Sequence, residues 1–340
     1  RFNHTVSPYR VFDAVSLPLD DIKAIKNGVE GATVNDVALT IVGGAMRRYL
    51  EAHSELPQES LVAMAPINVR SRDEKGTGGN ITYRNLLEQT MRFANALVAL
   101  GLDKGSRVML LLPNMPQLII SYHGTLVAGG VVVMSNLQAA EEEIIHQAQQ
   151  TEAAVLVTIS PAAALAAVVS EQSTIQHIIF ADETDYQSWI RRLWISLSGE
   201  KPSVEAARRV IGTEAFAWET LLRQQSADPP EIEPDVRDLA LIQYTSGTTG
   251  KPKGVMLSHR NLLANTLQIR AWLSDAQDGA ETFLSVTPIA HVFGSTTAMN
   301  VPLAQGASMV LLPRFDVNEV LAAIKKYGPS YFPGVPAMYV

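Results

Sequence analysis

Apolar residues downstream of residue 80 fall into two alternating rhythms. Short continuous runs, RVMLLL at 107–112, VVVM at 131–134, AAVLVTI at 153–159 and HIIF at 177–180, have the length of strands buried on both faces. Between them, apolar residues recur at helical spacing. Residues 85–100 carry Leu86, Phe93, Leu97 and Leu100, and Gly101 stands where a helix ends on a left-handed residue. Residues 117–128 predict a second helix closed by Gly129 and Gly130, and residues 141–151 a third. Residues 161–171 predict a fourth, with Ser160 as N-cap and Pro161 in the first helical position. Strand and helix in repeated succession predict an α/β fold with a mostly parallel, helix-covered sheet.

Two stretches depart from this rhythm. Residues 182–233 are mixed in charge and run into the proline-stiffened linker DPPEIEPD. Within them SWIRRLWISL places Trp189, Leu193, Ile195 and Leu197 around two arginines. A locally packed amphipathic helix is the first reading, and peripheral contact with a membrane surface the second. Residues 1–80 differ in style. Residues 37–50 predict one apolar-faced helix ending in Arg47 and Arg48, where cations suit the dipole. SLVAMAPINVR at 60–70 reads as a strand, and SRDEKGTGGN at 71–80 as a charged connector. No internal repeat is visible.

Composition narrows the function. The 340 residues suit two domains or one large one, and 47% hydrophobic against 18% charged residues suits a sizeable core. A net charge of −7 argues against a nucleic-acid partner. With no cysteine, disulfides, thiolate nucleophiles and zinc–thiolate sites are excluded, which suits a cytoplasmic location. The uncharged stretch 153–170 holds Thr158, Ser160 and Pro161 at its middle and reads as strand, turn and helix, not as a membrane span. RFNHTVSPYR has no apolar leader, and Arg at position 1 suggests a start inside a longer polypeptide.

The densest chemistry lies at residues 245–254, TSGTTGKPKG, between the apolar run LALIQY and VMLSH. Glycines let backbone N–H groups turn toward an anion, hydroxyls add donors and lysine adds charge. That combination is a cradle for a triphosphate. It is not a Walker A loop, which needs Ser or Thr directly after Gly-Lys, whereas Pro252 follows Lys251.

YTSGTTGKPKGVMLSHRNLLAN resembles the signature of the adenylate-forming superfamily, which includes acyl-CoA synthetases, luciferases and peptide-synthetase adenylation domains. The resemblance covers residues 81–340. ITYRNLLEQTMRFANALVALGLDKGSRVMLLLPN is similar to the family's opening strand, helix and strand, and LVAGGVVV to its next block. PIAHVFG at 288–294 resembles PLFHxFG, and YFPGVPAMY also fits. The resemblance implies ATP, Mg²⁺, coenzyme A and a carboxylic acid, and an N-terminal domain of adenylate-forming type. Ser246, Thr248 and Thr249, with Thr245 beside them, and the backbone at Gly247 and Gly250 would stabilise charge growing on departing pyrophosphate. Lys253 would contact phosphate, while Lys251 faces solvent. His291, Val292, Phe293 and Gly294 would line the carboxylate and acyl pocket, although His291 reads equally as a structural histidine and Phe293 as core. His259 belongs with Ser258 at a helix cap.

Within the superfamily, NITYRNLL and the long insert with Trp and Arg most resemble fatty acyl-CoA ligases. NLQAAEEE at 136–143 departs from their NPLYTERE, which puts loop geometry and exact substrate in doubt. The family's YGxTE segment for Mg²⁺, its TGD aspartate for ribose and its later lysine are not in the 340 residues. The expectation is a chain lacking the N- and C-terminal portions of its parent and unable to complete adenylation alone.

Residues 1–80 resemble the bacterial wax ester synthase/diacylglycerol acyltransferase family through VSLPLDDIKAIKNGVEGATVNDVALTIVGGAMRRYL and LVAMAPINVR. This implies an incomplete α/β segment of chloramphenicol-acetyltransferase type. Asn35 and Asp36 sit at a helix start, where they can cap exposed N–H groups. Pro66, Asn68 and Arg70 match that family's strand, but its HHxxxDG base motif is absent. The expected domains are therefore 1–80 and 81–340. The leading function is activation of a fatty acid to acyl-CoA. An acyl-CoA:alcohol or diacylglycerol acyltransferase without its catalytic half, and a non-catalytic ATP- or acyl-binding module, stand beside it.

Overall fold

The structure is a computed structural model and describes residues 19–28, 48, 52, 81–182, 186, 214–245 and 252–339. The chain divides into a unit of Arg1–Ile67 with Gly334–Val340 and a unit of Asn68–Pro333. In the first unit, α1 spans Leu19–Asn27 and a 3₁₀ turn spans Pro336–Met338. Of the helix expected at 37–50 only Arg48 is described, and it is helical; the strand expected at 60–70, Asn35 and Asp36 lie outside the described residues, as does SWIRRLWISL.

The second unit begins with α2, Tyr83–Ala99. An opening strand was expected at Ile81, but Thr82 instead caps this helix, accepting the Asn85 N–H at 3.2 Å. With its hydroxyl closing the first turn, Thr82 starts a helix where the strand was expected. Strands and helices then alternate: β1 Arg107–Leu111, α3 Pro116–Val127, β2 Val131–Met134, α4 Glu141–Thr151, β3 Val155–Ile159, α5 Ala163–Glu171 and β4 His177–Ala181. Gly101 and Gly129 close α2 and α3 with φ of 82° and 69°, as their positions implied.

Ser160 does not cap α5. It lies in a 3₁₀ turn, Ser160–Ala162, and Ala162 stands at the N-cap with no side-chain bond. The extra turn moves the helix start onward and turns the buried Ser160 hydroxyl inward. Residues 214–223, expected as part of an irregular interruption, form β5 (Glu214–Ala217) and α6 (Trp218–Arg223). Trp218 stacks on Phe93 of α2 at 5.2 Å between ring centroids.

Two more strands, β6 (Leu239–Thr245) and β7 (Lys253–Ser258), complete a seven-stranded sheet of order β5-β4-β3-β1-β2-β6-β7. All pairings are parallel except β6 with β7. Successive strand residues face opposite sides, and both sides are covered. Val108, Leu110, Val132 and Val157 pack with Phe93, Leu97 and Leu118 of α2 and α3. Met109, Leu111, Val133 and Leu156 pack with Ile144, Ala148 and Val169 of α4 and α5. This explains the unbroken apolar runs.

After β7, α7 spans His259–Trp272. Ser258 caps it as expected, but its reciprocal partner is Asn261, not His259. A smaller parallel pair follows, β8 (Thr282–Ser285) with β9 (Ser308–Leu311), and then α8, Val317–Tyr327. Among the described residues no helix is long and apolar enough to cross a membrane.

Candidate functional site

All parallel strands of the large sheet end on one edge, where open α/β sheets bind ligands. β6 reaches that edge with Ala240–Gln243 buried and Thr245 exposed. β7 returns beside it, so Thr245 and Lys253 are paired across the mouth of the hairpin. The Thr245 hydroxyl donates to the Lys253 carbonyl at 3.5 Å. Ser246, Gly247, Thr248, Thr249 and Gly250 lie outside the described residues.

The mouth is anchored by Tyr244. Its hydroxyl donates to Gln150 Oε1 of α4 at 2.7 Å, and its ring lies against Gly254. A Cβ on Gly254 would stand 2.9 Å from Ile242 Cγ2 and 3.3 Å from the Tyr244 ring, so glycine is required for this packing. Partial burial raises the Tyr244 hydroxyl above its ordinary pKa.

Residues 288–294 are held against the same edge. Gln243, buried in β6, donates from Nε2 to the Ala290 carbonyl at 2.9 Å. Its Oε1 is buried and has no hydrogen-bond partner among the described residues. Asn114, three residues past β1 and 5% exposed, holds the approach to this segment. Its Nδ2 donates to Ser285 O at 3.3 Å, Val286 O at 3.3 Å and Thr287 O at 3.0 Å. Its Oδ1 accepts the Ile289 N–H at 2.8 Å. Gly294 then passes so close to Pro288 that a Cβ would sit 2.0 Å from the Pro288 carbonyl oxygen.

His291 Nδ1 accepts the Phe293 N–H at 3.2 Å, and its ring is exposed. The imidazole therefore caps the single helical turn Val292–Gly294 while facing outward. Val292 is exposed and Phe293 partly buried. A π-helical turn, Ser295–Asn300, follows, tied to α7 through Thr296 Oγ1 and Asn265 Oδ1 at 3.1 Å.

The structure thus brings Thr245 and Lys253 together and links their strand to the segment carrying His291, Val292, Phe293 and Gly294. Sequence reading passed over Asn114, Gln243 and Tyr244. One signal was available: a polar residue directly after or within a buried apolar run must find a partner. Among the described residues no cluster of three His, Asp or Glu side chains is placed to hold a metal, so no residue here is assigned to Mg²⁺.

A doubly wound α/β sheet carrying a glycine- and hydroxyl-rich loop at its carboxyl edge defines a class of nucleotide-handling proteins. The profile of the AMP-binding enzyme family matches residues 61–340, and the chain belongs to that family. The long-chain-fatty-acid–CoA ligase of Bacillus subtilis (strain 168) is 36% identical over 266 residues, which is 77% of this chain and 47% of the relative. Apo MatB from Rhodopseudomonas palustris has a TM-score of 0.61 at 26% identity, covering 76% of this chain and 45% of that one. ATP-bound MatB from the same organism has a TM-score of 0.58 at 26% identity, covering 72% and 42%. The chain spans about half the length of the curated relatives it matches. The family match begins at residue 61, so residues 61–80 fall within it as well as within the segment that resembled an acyltransferase. None of the relatives named here is an acyltransferase.

Proposed function

We propose that this chain forms the phosphate-cradling and acyl-facing part of a fatty-acid–CoA ligase. In the first half-reaction a carboxylate oxygen bonds to the α-phosphorus of ATP and the bond to pyrophosphate breaks. In the second, the sulfur of coenzyme A bonds to the acyl carbon and AMP departs. The observation that carries this reading is the Gln243–Ala290 hydrogen bond, which joins the loop-bearing strand to the 288–294 segment. One set of groups then faces the phosphates while the other faces the acid.

In this reading the hydroxyls of Thr245, Ser246, Thr248 and Thr249 and the N–H groups of Gly247 and Gly250 take up charge developing on pyrophosphate. Lys253 supplies a positive charge from the rim. His291, Val292, Phe293 and Gly294 face the carboxylate and acyl chain, and the buried, unpartnered Gln243 Oε1 lies behind them. Mg²⁺ and coenzyme A are carried over from the family resemblance, and no step here is assigned to the metal. ATP-bound MatB supports the nucleotide, and the Bacillus subtilis ligase supports the fatty acid.

A cytoplasmic location, the acyltransferase likeness of residues 1–80 and the capping role of Asn35 and Asp36 are proposals resting on sequence pattern. The loop assignment is tested by titrating ATP into Lys253→Ala. Losing one charge–phosphate contact is expected to weaken binding about tenfold, roughly 1.4 kcal/mol. Unchanged affinity would remove Lys253 from the site.

A further inference from the structure

The opposite edge of the large sheet carries a second feature. Arg107, Val131 and Leu239 open β1, β2 and β6, so they stand together at the amino ends of the strands. With Lys104, Gly105, Ser106, Gly129 and Asp238 they line a cavity of about 520 Å³. Thr245 lies at the far end of the seven-residue β6, about 20 Å away at roughly 3.3 Å per residue, so this cavity is separate from the ATP loop.

Its charges are unequal. Lys104 pairs with Asp238 at 2.8 Å and donates to the Glu233 carbonyl at 3.3 Å. Asp238 also accepts the Asp235 N–H. That ion pair is internally neutral. Arg107 is partly buried; its backbone carbonyl accepts the Ala154 N–H at 2.9 Å, but its side chain has no hydrogen bond or ion pair among the described residues. With no counter-charge on that side chain, one positive charge is left for a ligand. Ser106 also lines the cavity, and its hydroxyl has no partner among the described residues. Gly105 and Gly129 contribute no side chains, and their φ values of 88° and 69° favour glycine. At Gly129 a Cβ would also meet Ile232 Cγ2 at 2.9 Å. Nearby His259 is partly buried, and that burial holds its pKa below the ordinary value, so it adds little charge near neutrality.

We propose that this cavity binds an oxyanion of the phosphate class, with Arg107 as the principal contact and Ser106 and Lys104 beside it. The planar fork of arginine matches two phosphate oxygens at once. Inorganic phosphate and a small phosphate monoester present the same chemistry, and the cavity has room for either.

The test is calorimetric titration of the full 340-residue chain with inorganic phosphate and, separately, with glycerol phosphate, at constant ionic strength. Arg107→Met keeps the apolar stem and removes the charge. Its unfolding temperature without phosphate is expected to equal wild type, which shows that the fold is intact. Phosphate affinity is expected to fall at least about tenfold in Arg107→Met, a loss of roughly 1.4 kcal/mol, and to stay unchanged in Lys253→Ala. Tighter binding of glycerol phosphate would identify an ester as the natural class, and equal or weaker binding the free ion. Equal affinity in wild type and Arg107→Met, loss in Lys253→Ala instead, or no binding by wild type would each overturn the proposal. Loss in Lys253→Ala would place phosphate at the loop and support the role given to Lys253 there; the other outcomes do not bear on ATP binding at the loop.

Discussion

Replacing Asn114 by alanine tests how the segment carrying His291 is held. The amide has two N–H groups shared among three carbonyls, Ser285, Val286 and Thr287, and one oxygen accepting from Ile289. Alanine removes about two net hydrogen bonds at ~1 kcal/mol each, and leaves the buried Ile289 N–H unpaired at a further ~1–3 kcal/mol. The expected loss is therefore about 3–5 kcal/mol, a large share of the roughly 5–15 kcal/mol that holds a domain together. Urea unfolding reads it as a lower midpoint with an unchanged slope. Asn114→Asp is the sharper variant. It is isosteric and keeps the acceptor, but it turns a carboxylate toward three carbonyl oxygens and is expected to be at least as damaging as alanine. A loss under about 1 kcal/mol in alanine, or wild-type stability in Asn114→Asp, would refute the reasoning.

Three further outcomes are expected. Gly294→Ala drives a Cβ to 2.0 Å from the Pro288 oxygen, so the segment must move, and a loss of roughly 3 kcal/mol or more should appear in thermal unfolding. Tyr244→Phe loses only the Gln150 bond, so stability should change by less than about 1.5 kcal/mol while calorimetry shows weaker ATP binding. His123 has its Nε2 buried without a partner among the described residues, and burial pulls its pKa down to about 4. The folded state therefore favours the neutral ring. That stabilisation is fully present above the ordinary pKa near 6.5 and is lost as pH falls from 6.5 through about 4. The full effect is roughly 3 kcal/mol at 1.36 kcal/mol per pH unit. Urea unfolding at pH 7 and pH 4.5 should show most of this loss in wild type and a flatter dependence in His123→Gln.

The large sheet was legible because its strands are buried on both faces. That forces continuous apolar runs, as in RVMLLL and VVVM, and those runs are short enough to separate from helices. β5 escaped notice because Glu214–Ala217 is a four-residue strand at the sheet edge, where one missing neighbour relaxes the demand for apolar residues. Thr82 and Ser160 depart from expectation for a related reason. A hydroxyl before a helix can cap it or turn into the core, and only the path of the preceding chain decides. At the site, the chemistry of residues 245–254 was visible as composition. The residues that hold the strand before it and the 288–294 segment, Asn114, Gln243 and Tyr244, act through partners distant in sequence: Thr287, Ala290 and Gln150. No local pattern records such pairings.

A crystal structure of the chain with ATP bound is the most direct measurement of the central claim. The account predicts the β- and γ-phosphates within the 245–254 loop, touched by the hydroxyls of Thr245, Ser246, Thr248 and Thr249 and by Lys253 Nζ, with the α-phosphate turned toward residues 288–294. Nucleotide bound elsewhere on the sheet, or phosphates out of reach of Lys253, would contradict it.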